Sequence, residues 1–187
     1  MSKQTLYILV GTVLVILLGL MGYFYYAKEI YTPISGDTQN PEIAREDKLN
    51  TLDNFTQEGK NAFELQAQLK ANEVLQFSEP LAANFSKVVE APLQIKMYEA
   101  QGNVIWAESE ESSVIRLEDV SMINGPELHV FLAKGMDLKN AVDLGEIKST
   151  EGSANYAFDK SYTREEYNTV LVASKFFGIV YYYANLK

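Results

Sequence analysis

The chain has 187 residues, 47% of them hydrophobic, with 16 Lys and Arg against 25 Asp and Glu and a net charge of −9. An acidic chain repels phosphate backbones and anionic lipid heads, which sets nucleic-acid binding aside. It has no cysteine. That excludes disulfides, thiolate catalysis, Cys-ligated zinc, iron–sulfur clusters and acylation at cysteine, and it favours a bacterial source for an exported domain of this size.

The first element is a run without charge, from Leu6 to Tyr26, rich in Leu, Ile, Val and Met. At 1.5 Å per residue, about 20 residues cross a hydrocarbon core of roughly 30 Å. Tyr23, Phe24, Tyr25 and Tyr26 form an aromatic edge of the kind that settles at headgroup level. The run therefore reads as a single transmembrane signal anchor over residues 5–27, with the lipid bilayer as its partner. A cleaved signal peptide is the competing reading. The run exceeds the usual apolar length of about 7–15 residues, and Tyr25 spoils the small-residue pattern before Ala27. Lys3 favours a leader, residues 1–4, on the cytoplasmic side; Lys28, Arg45 and Lys48 weigh the other way. The short leader decides the expectation: a plasma-membrane, single-pass protein with its C-terminal domain outside the cytoplasm.

Residues 28–60 hold Pro33, Gly36, Asp37, Asn40 and Pro41 and no hydrophobic period, which predicts a solvated linker. A helix is expected within 61–80, on Asn61 to Gln76. Its residues are good helix formers, although Phe63, Leu65, Ala67 and Leu69 also alternate as a strand would. Packing on its own domain is the expected role.

From about Leu81 to Lys187 short apolar runs alternate with turns. The runs lie at Leu93–Met97, Val104–Ala107, Val114–Leu117, Leu128–Leu132, Val142–Ile147, Tyr156–Phe158, Tyr167–Ser174 and Ile179–Leu186. Asn124-Gly125-Pro126 and Glu151-Gly152-Ser153 are turn signals. About eight short strands predict a mainly β fold, an antiparallel β-sandwich. One helical turn is expected at Asp137–Ala141.

Several blocks of this region resemble the "electron-transfer" DM-thirteen domain family. They are Val114 to Val120, Asn124-Gly-Pro-Glu-Leu-His-Val-Phe-Leu132, Asp143 to Lys148, Gly152 to Tyr156, and Thr169 through Val180 to Leu186. The resemblance spans about Ala100 to Leu186, and the Asn-Gly-Pro-x-Leu-His-Val block is its most specific part. It implies an exported β-sandwich, in some members beside haem-binding redox domains. It also implies an electron-transfer role centred on one cysteine. Ser174 stands at that cysteine's place here, followed by Lys175, Phe176 and Phe177. A hydroxyl does not cycle through thiolate and disulfide. The fold carries over; the cysteine chemistry does not.

Among chemistry-bearing residues, His129 is the sole histidine and the one candidate haem or metal ligand, with Met122 or Met136 as a soft second ligand. The preferred reading is a strand histidine hydrogen-bonded beside a turn. Glu108, Glu110, Glu111, Glu118 and Asp119 carry oxygen ligands, but no calcium loop is written around them, and a solvated acidic turn is preferred. Trp106, Phe176, Phe177, Tyr181 and Tyr183 are candidates for a ligand surface, weighed against ordinary packing of aromatics in strands. No catalytic constellation, phosphate loop, zinc motif or cofactor fingerprint is visible. The expected function is a non-catalytic extracytoplasmic module for binding or assembly at the cell surface. The alternative is a component of an exported electron-transfer system.

Overall fold

A computed structural model of the chain describes residues 52–187. The anchor expected over 5–27 and most of the linker lie outside the described residues. Among the described residues no helix is long and apolar enough to cross a membrane.

The first elements are a 3₁₀ turn, Leu52–Asn54, and a helix α1, Gln57–Ala71. Thr56 sets the start of α1, because its side chain accepts from the Gly59 N–H at 3.2 Å. The helix thus begins four residues earlier than Asn61, inside the expected linker, and ends at Ala71 rather than Gln76. The ambiguous alternation resolves as an i, i+4 pattern. Phe63 and Ala67 face inward, while Leu65 and Leu69 are 58% and 66% exposed.

Ten strands follow: β1 Gln76–Ser78, β2 Ser86–Pro92, β3 Gln94–Ile95, β4 Ala100–Glu108, β5 Ser113–Met122, β6 Leu128–Ala133, β7 Val142–Glu146, β8 Glu151–Phe158, β9 Thr169–Ser174 and β10 Ile179–Asn185. They form two sheets, ordered β1-β8-β5-β4-β2 and β3-β10-β9-β6-β7. Every pairing is antiparallel except β1 with β8. The fold is mainly β, with one core between the sheets, consistent with a β-sandwich. Trp106, Ile115, Leu117 and Tyr156 of the first sheet share that core with Val130, Leu132, Val170, Val172 and Tyr182 of the second. Residues 137–141 form turns, not the expected helical turn; Asp137 caps them through the Asn140 N–H.

The outer face of the second sheet is also covered. Phe131, Ala133, Leu171, Ala173 and Val180 pack beneath Met136, Leu138 and Ala141 of the β6–β7 loop, with Tyr183 beside them. All six residues of β9 are therefore buried, and its unbroken apolar run follows from burial on both faces.

β1 and β2 lie at opposite edges of the first sheet. Residues 79–85 must therefore pass over its outer face, since the inner face is filled by the core. Arg116 fastens this strap: its guanidinium donates to the Glu79 carbonyl at 2.7 Å and to Asn155 Oδ1 at 3.0 Å, and pairs with Glu118. Asn155 Nδ2 donates to the Pro80 carbonyl at 2.9 Å. Ile105, Ala107 and Val114 on the same outer face are buried.

Candidate functional site

Two turns meet at one end of the molecule. Asn124–Glu127 forms the β5–β6 turn and Ser174–Gly178 the β9–β10 turn. Ser174 Oγ donates to the Pro126 carbonyl at 2.6 Å, and the Lys175 N–H donates to the Glu127 carbonyl at 3.0 Å. Gly178 closes the second turn with φ at +64°, the left-handed region that glycine enters without strain.

The second turn buries its first and fourth residues and exposes the two between them. Ser174 is fully buried, opposite Leu128 in the register, and faces the core. Its Oγ also accepts from the Phe177 N–H at 3.3 Å. The hydroxyl proton is thus committed to a backbone carbonyl. Lys175 faces outward, where its Nζ meets Asp143 Oδ2 at 2.9 Å. Phe177 is buried, and Phe176 is 43% exposed.

The outer cluster centres on Asp143 of β7. His129 Nδ1 lies 2.8 Å from Asp143 Oδ1, which also accepts from the Gly145 N–H at 2.9 Å. The His129 ring stacks beside Phe131 at a centroid distance of 6.0 Å. Burial by itself would raise the Asp143 carboxyl, but the hydrogen bonds from His129, Lys175 and Gly145 outweigh it and hold the group below its usual range. A depressed folded-state value contributes stability that is present above the unfolded value, near 3.8, and is lost as pH falls through the folded one. Asp143→Asn should therefore lower stability near neutrality, converge on the original protein in acid, and so flatten the acid limb of the stability curve below about pH 4. Urea midpoints of both proteins across pH 2–6, a window of about two units on either side of a carboxyl, would check this. An identical acid limb would count against it.

His129 and Ser174 do not form a catalytic pair. His129 lies opposite Ala173 in the register and faces outward; Ser174 faces inward. Lys175 is likewise on the opposite face from its neighbour. Met122 is buried in the core and Met136 lies in the β6–β7 loop cover. Among the described residues no group of three His, Asp or Glu gathers as a metal site. Glu108 accepts from the Trp106 indole N–H at 2.8 Å, and Glu118 pairs with Arg116.

The five aromatics expected as a ligand surface are not brought together as one. Trp106 sits in the core edge-on to Phe158, and Tyr181 and Phe177 are buried. Tyr183 lies on the outer face of the second sheet, leaving Phe176 as the well-exposed member. The register of β10 shifts between Val180 and Tyr182, so that Tyr181 and Tyr182 both point into the core and Tyr183 away from it. The bulged Tyr181 carbonyl accepts from the N–H groups of Lys96 and Met97, each at 3.1 Å. The sequence carries no sign of this bulge or of the His129–Asp143–Lys175 cluster, whose members are brought together by strand register alone.

No protein-family model, curated protein or solved structure matches the chain.

Ser174→Ala should cost no more than the about 1–3 kcal/mol of leaving the Pro126 carbonyl without its donor. Ser174→Cys should be folded and shielded from thiol reagents until denatured. Denaturation midpoints and labelling of native against unfolded protein read these outcomes. Rapid labelling of the native Cys variant would place the side chain at the surface instead.

Proposed function

We propose that the chain is a membrane-anchored β-sandwich module, displayed outside the cytoplasm and related to the DM-thirteen domains, that binds or assembles with a partner at the cell surface without catalysis. The observation that carries this reading is the division of the reactive side chains at the Ser174 turn. The hydroxyl is locked inside on a carbonyl, while His129, Asp143 and Lys175 form a fixed polar patch outside, with the exposed Phe176 next to Lys175 in the chain. An imidazole on one face of a sheet cannot deprotonate a hydroxyl on the other. An ordered charged patch flanked by an exposed ring suits recognition of a surface.

A photo-crosslinking residue at Phe176 of the full chain, in its native cells, tests the reading. A discrete adduct is expected there, weakened by Lys175→Glu and absent when the probe replaces Phe77 on the other sheet. Equal labelling at both positions, or none, would count against a surface at Phe176. Protease added to intact cells should remove the domain, and a mature chain starting near Lys28 would remove the anchor.

A second reading, a component of an exported electron-transfer system, draws on a chain of rings. Phe176, Phe177, Phe63, Tyr181 and Tyr98 follow one another at centroid distances of 4.8, 5.2, 6.0 and 5.0 Å. Against it, the Tyr181 hydroxyl has no acceptor to take its proton on oxidation. A Soret or flavin band in protein purified from its native host, lost in His129→Ala, would favour this second reading.

A further inference from the structure

Tyr181 has the one buried side-chain oxygen or nitrogen without a hydrogen-bond partner among the described residues. A buried phenol without an acceptor costs about 1–3 kcal/mol, so its surroundings need explaining. Rings surround the Tyr181 ring: Phe63 at 6.0 Å, Tyr98 at 5.0 Å and Tyr182 at 6.0 Å between centroids, with Phe177 edge-on to Phe63 at 5.2 Å. On the remaining side lies Gly125, where a Cβ would stand 2.6 Å from the Tyr181 hydroxyl. The neighbouring Tyr182 is built differently. Its hydroxyl donates to the Ile123 carbonyl at 3.0 Å and accepts from the Ile123 N–H at 3.1 Å.

One wall of this cage is removable. Phe63 belongs to α1, which buries only Gly59, Phe63 and Ala67 of its fifteen residues. The other walls are strand, turn or the bend after β3. Swinging Phe63 aside, or lifting α1, would open a ring-shaped space against the Tyr181 ring, whose hydroxyl is an unused donor. Burial, and then the charge of Glu64 on α1, hold the Tyr98 phenol in its protonated form, and the same carboxylate disfavours an anionic guest.

We infer that the seat under α1 is a binding site for a small uncharged aromatic molecule bearing an acceptor oxygen, with Phe63 as its displaceable plug and Tyr181 as the donor that recognises the oxygen. The ring of the guest replaces the Phe63 ring edge-on against Phe177 and Tyr98, and its oxygen supplies the acceptor that Tyr181 lacks. The inference is independent of the outer patch at Phe176.

Acetophenone and ethylbenzene differ chiefly by that oxygen and serve as probes. The full chain, with tyrosines ring-labelled with ¹³C and held in a nonionic detergent, is titrated with each to millimolar concentration while the Tyr181 ring signal is followed. Acetophenone should shift that signal saturably and bind about tenfold more tightly than ethylbenzene, the factor one hydrogen bond supplies. In Tyr181→Phe, read through the Tyr98 signal, the ratio should fall to about one, which also removes detergent partitioning as its cause. Phe63→Ala should tighten both probes. Absence of a Tyr181 shift in the unsubstituted chain overturns the inference, whatever Phe63→Ala does. An oxygen preference that persists in Tyr181→Phe also overturns it.

Discussion

A chain ending at Val180 is expected to aggregate rather than fold. β10 lies between β3 and β9, and residues 181–187 contribute Tyr181, Tyr182, Ala184 and Leu186 to the core. At about 1.5–3 kcal/mol for each large apolar side chain, their loss rivals the about 5–15 kcal/mol that holds a whole domain. The damage is also topological. The facing edges of β9 and β3 lose their partner and become templates for another chain. The Lys96 and Met97 N–H groups lose the Tyr181 carbonyl, and the Ile123 backbone loses the Tyr182 hydroxyl. The soluble fraction and the urea transition, followed by tryptophan fluorescence and circular dichroism, check this. A soluble truncation with one cooperative transition would show that β10 is dispensable.

Arg116→Ala is expected to lower stability by about 3–5 kcal/mol, the range for breaking a buried charge network from one side. Arg116 is buried, and three groups depend on it: Glu118, the Glu79 carbonyl and Asn155. Without it the strap loses its central fastener over Ile105 and Val114. Arg116→Met keeps the stem that covers this surface and should cost less, because the Glu118 side chain is 32% exposed and can turn to water. Urea midpoints of the three proteins and protease cleavage within residues 79–85 are the measurements. Equal midpoints for the original and Ala proteins would mean the strap is held by other contacts.

The strands readable in the sequence are those whose patterns follow from local chemistry. Asn124-Gly125-Pro126 marks the turn before β6, and Val170 to Ala173 form an apolar run long enough to declare a buried strand. β1 and β2 were not readable. Gln76, Phe77 and Ser78 are all exposed, and only pairing with Glu151–Ser153 makes them a strand. β2 carries a register shift between Lys87 and Val89, which breaks the alternation that would reveal it. The start of α1 was hidden because Thr56 caps it before any hydrophobic period begins. For the site, alternation puts Ser174 on one face with Val170 and Val172, and the packing of β9 in the sandwich turns that face inward. The outward cluster was not legible, since Asp143 reaches His129 and Lys175 only through the pairing of β7 with β6 and of β6 with β9. Alternation could not sort the aromatics, because Trp106 and Tyr181 are buried for different reasons, one by strand phase and one by a bulge.

The pairing of β1 with β8 has a consequence in time. Leu75 and Ser78 bond to residues 75 positions further along the chain. During synthesis at about 5–20 residues per second, β1 therefore waits roughly 4–15 s for its partner to exist. It adds in parallel to β8, which also pairs with β5, so β1 is expected to dock late. Loop-closure entropy makes such long-range contacts slow to gain, and a three-residue, exposed edge strand has little to hold it closed. Amide protons of residues 76–79 should exchange by local opening well before those of β5 and β9, so that β1 loosens and recloses many times within the lifetime of one folded molecule.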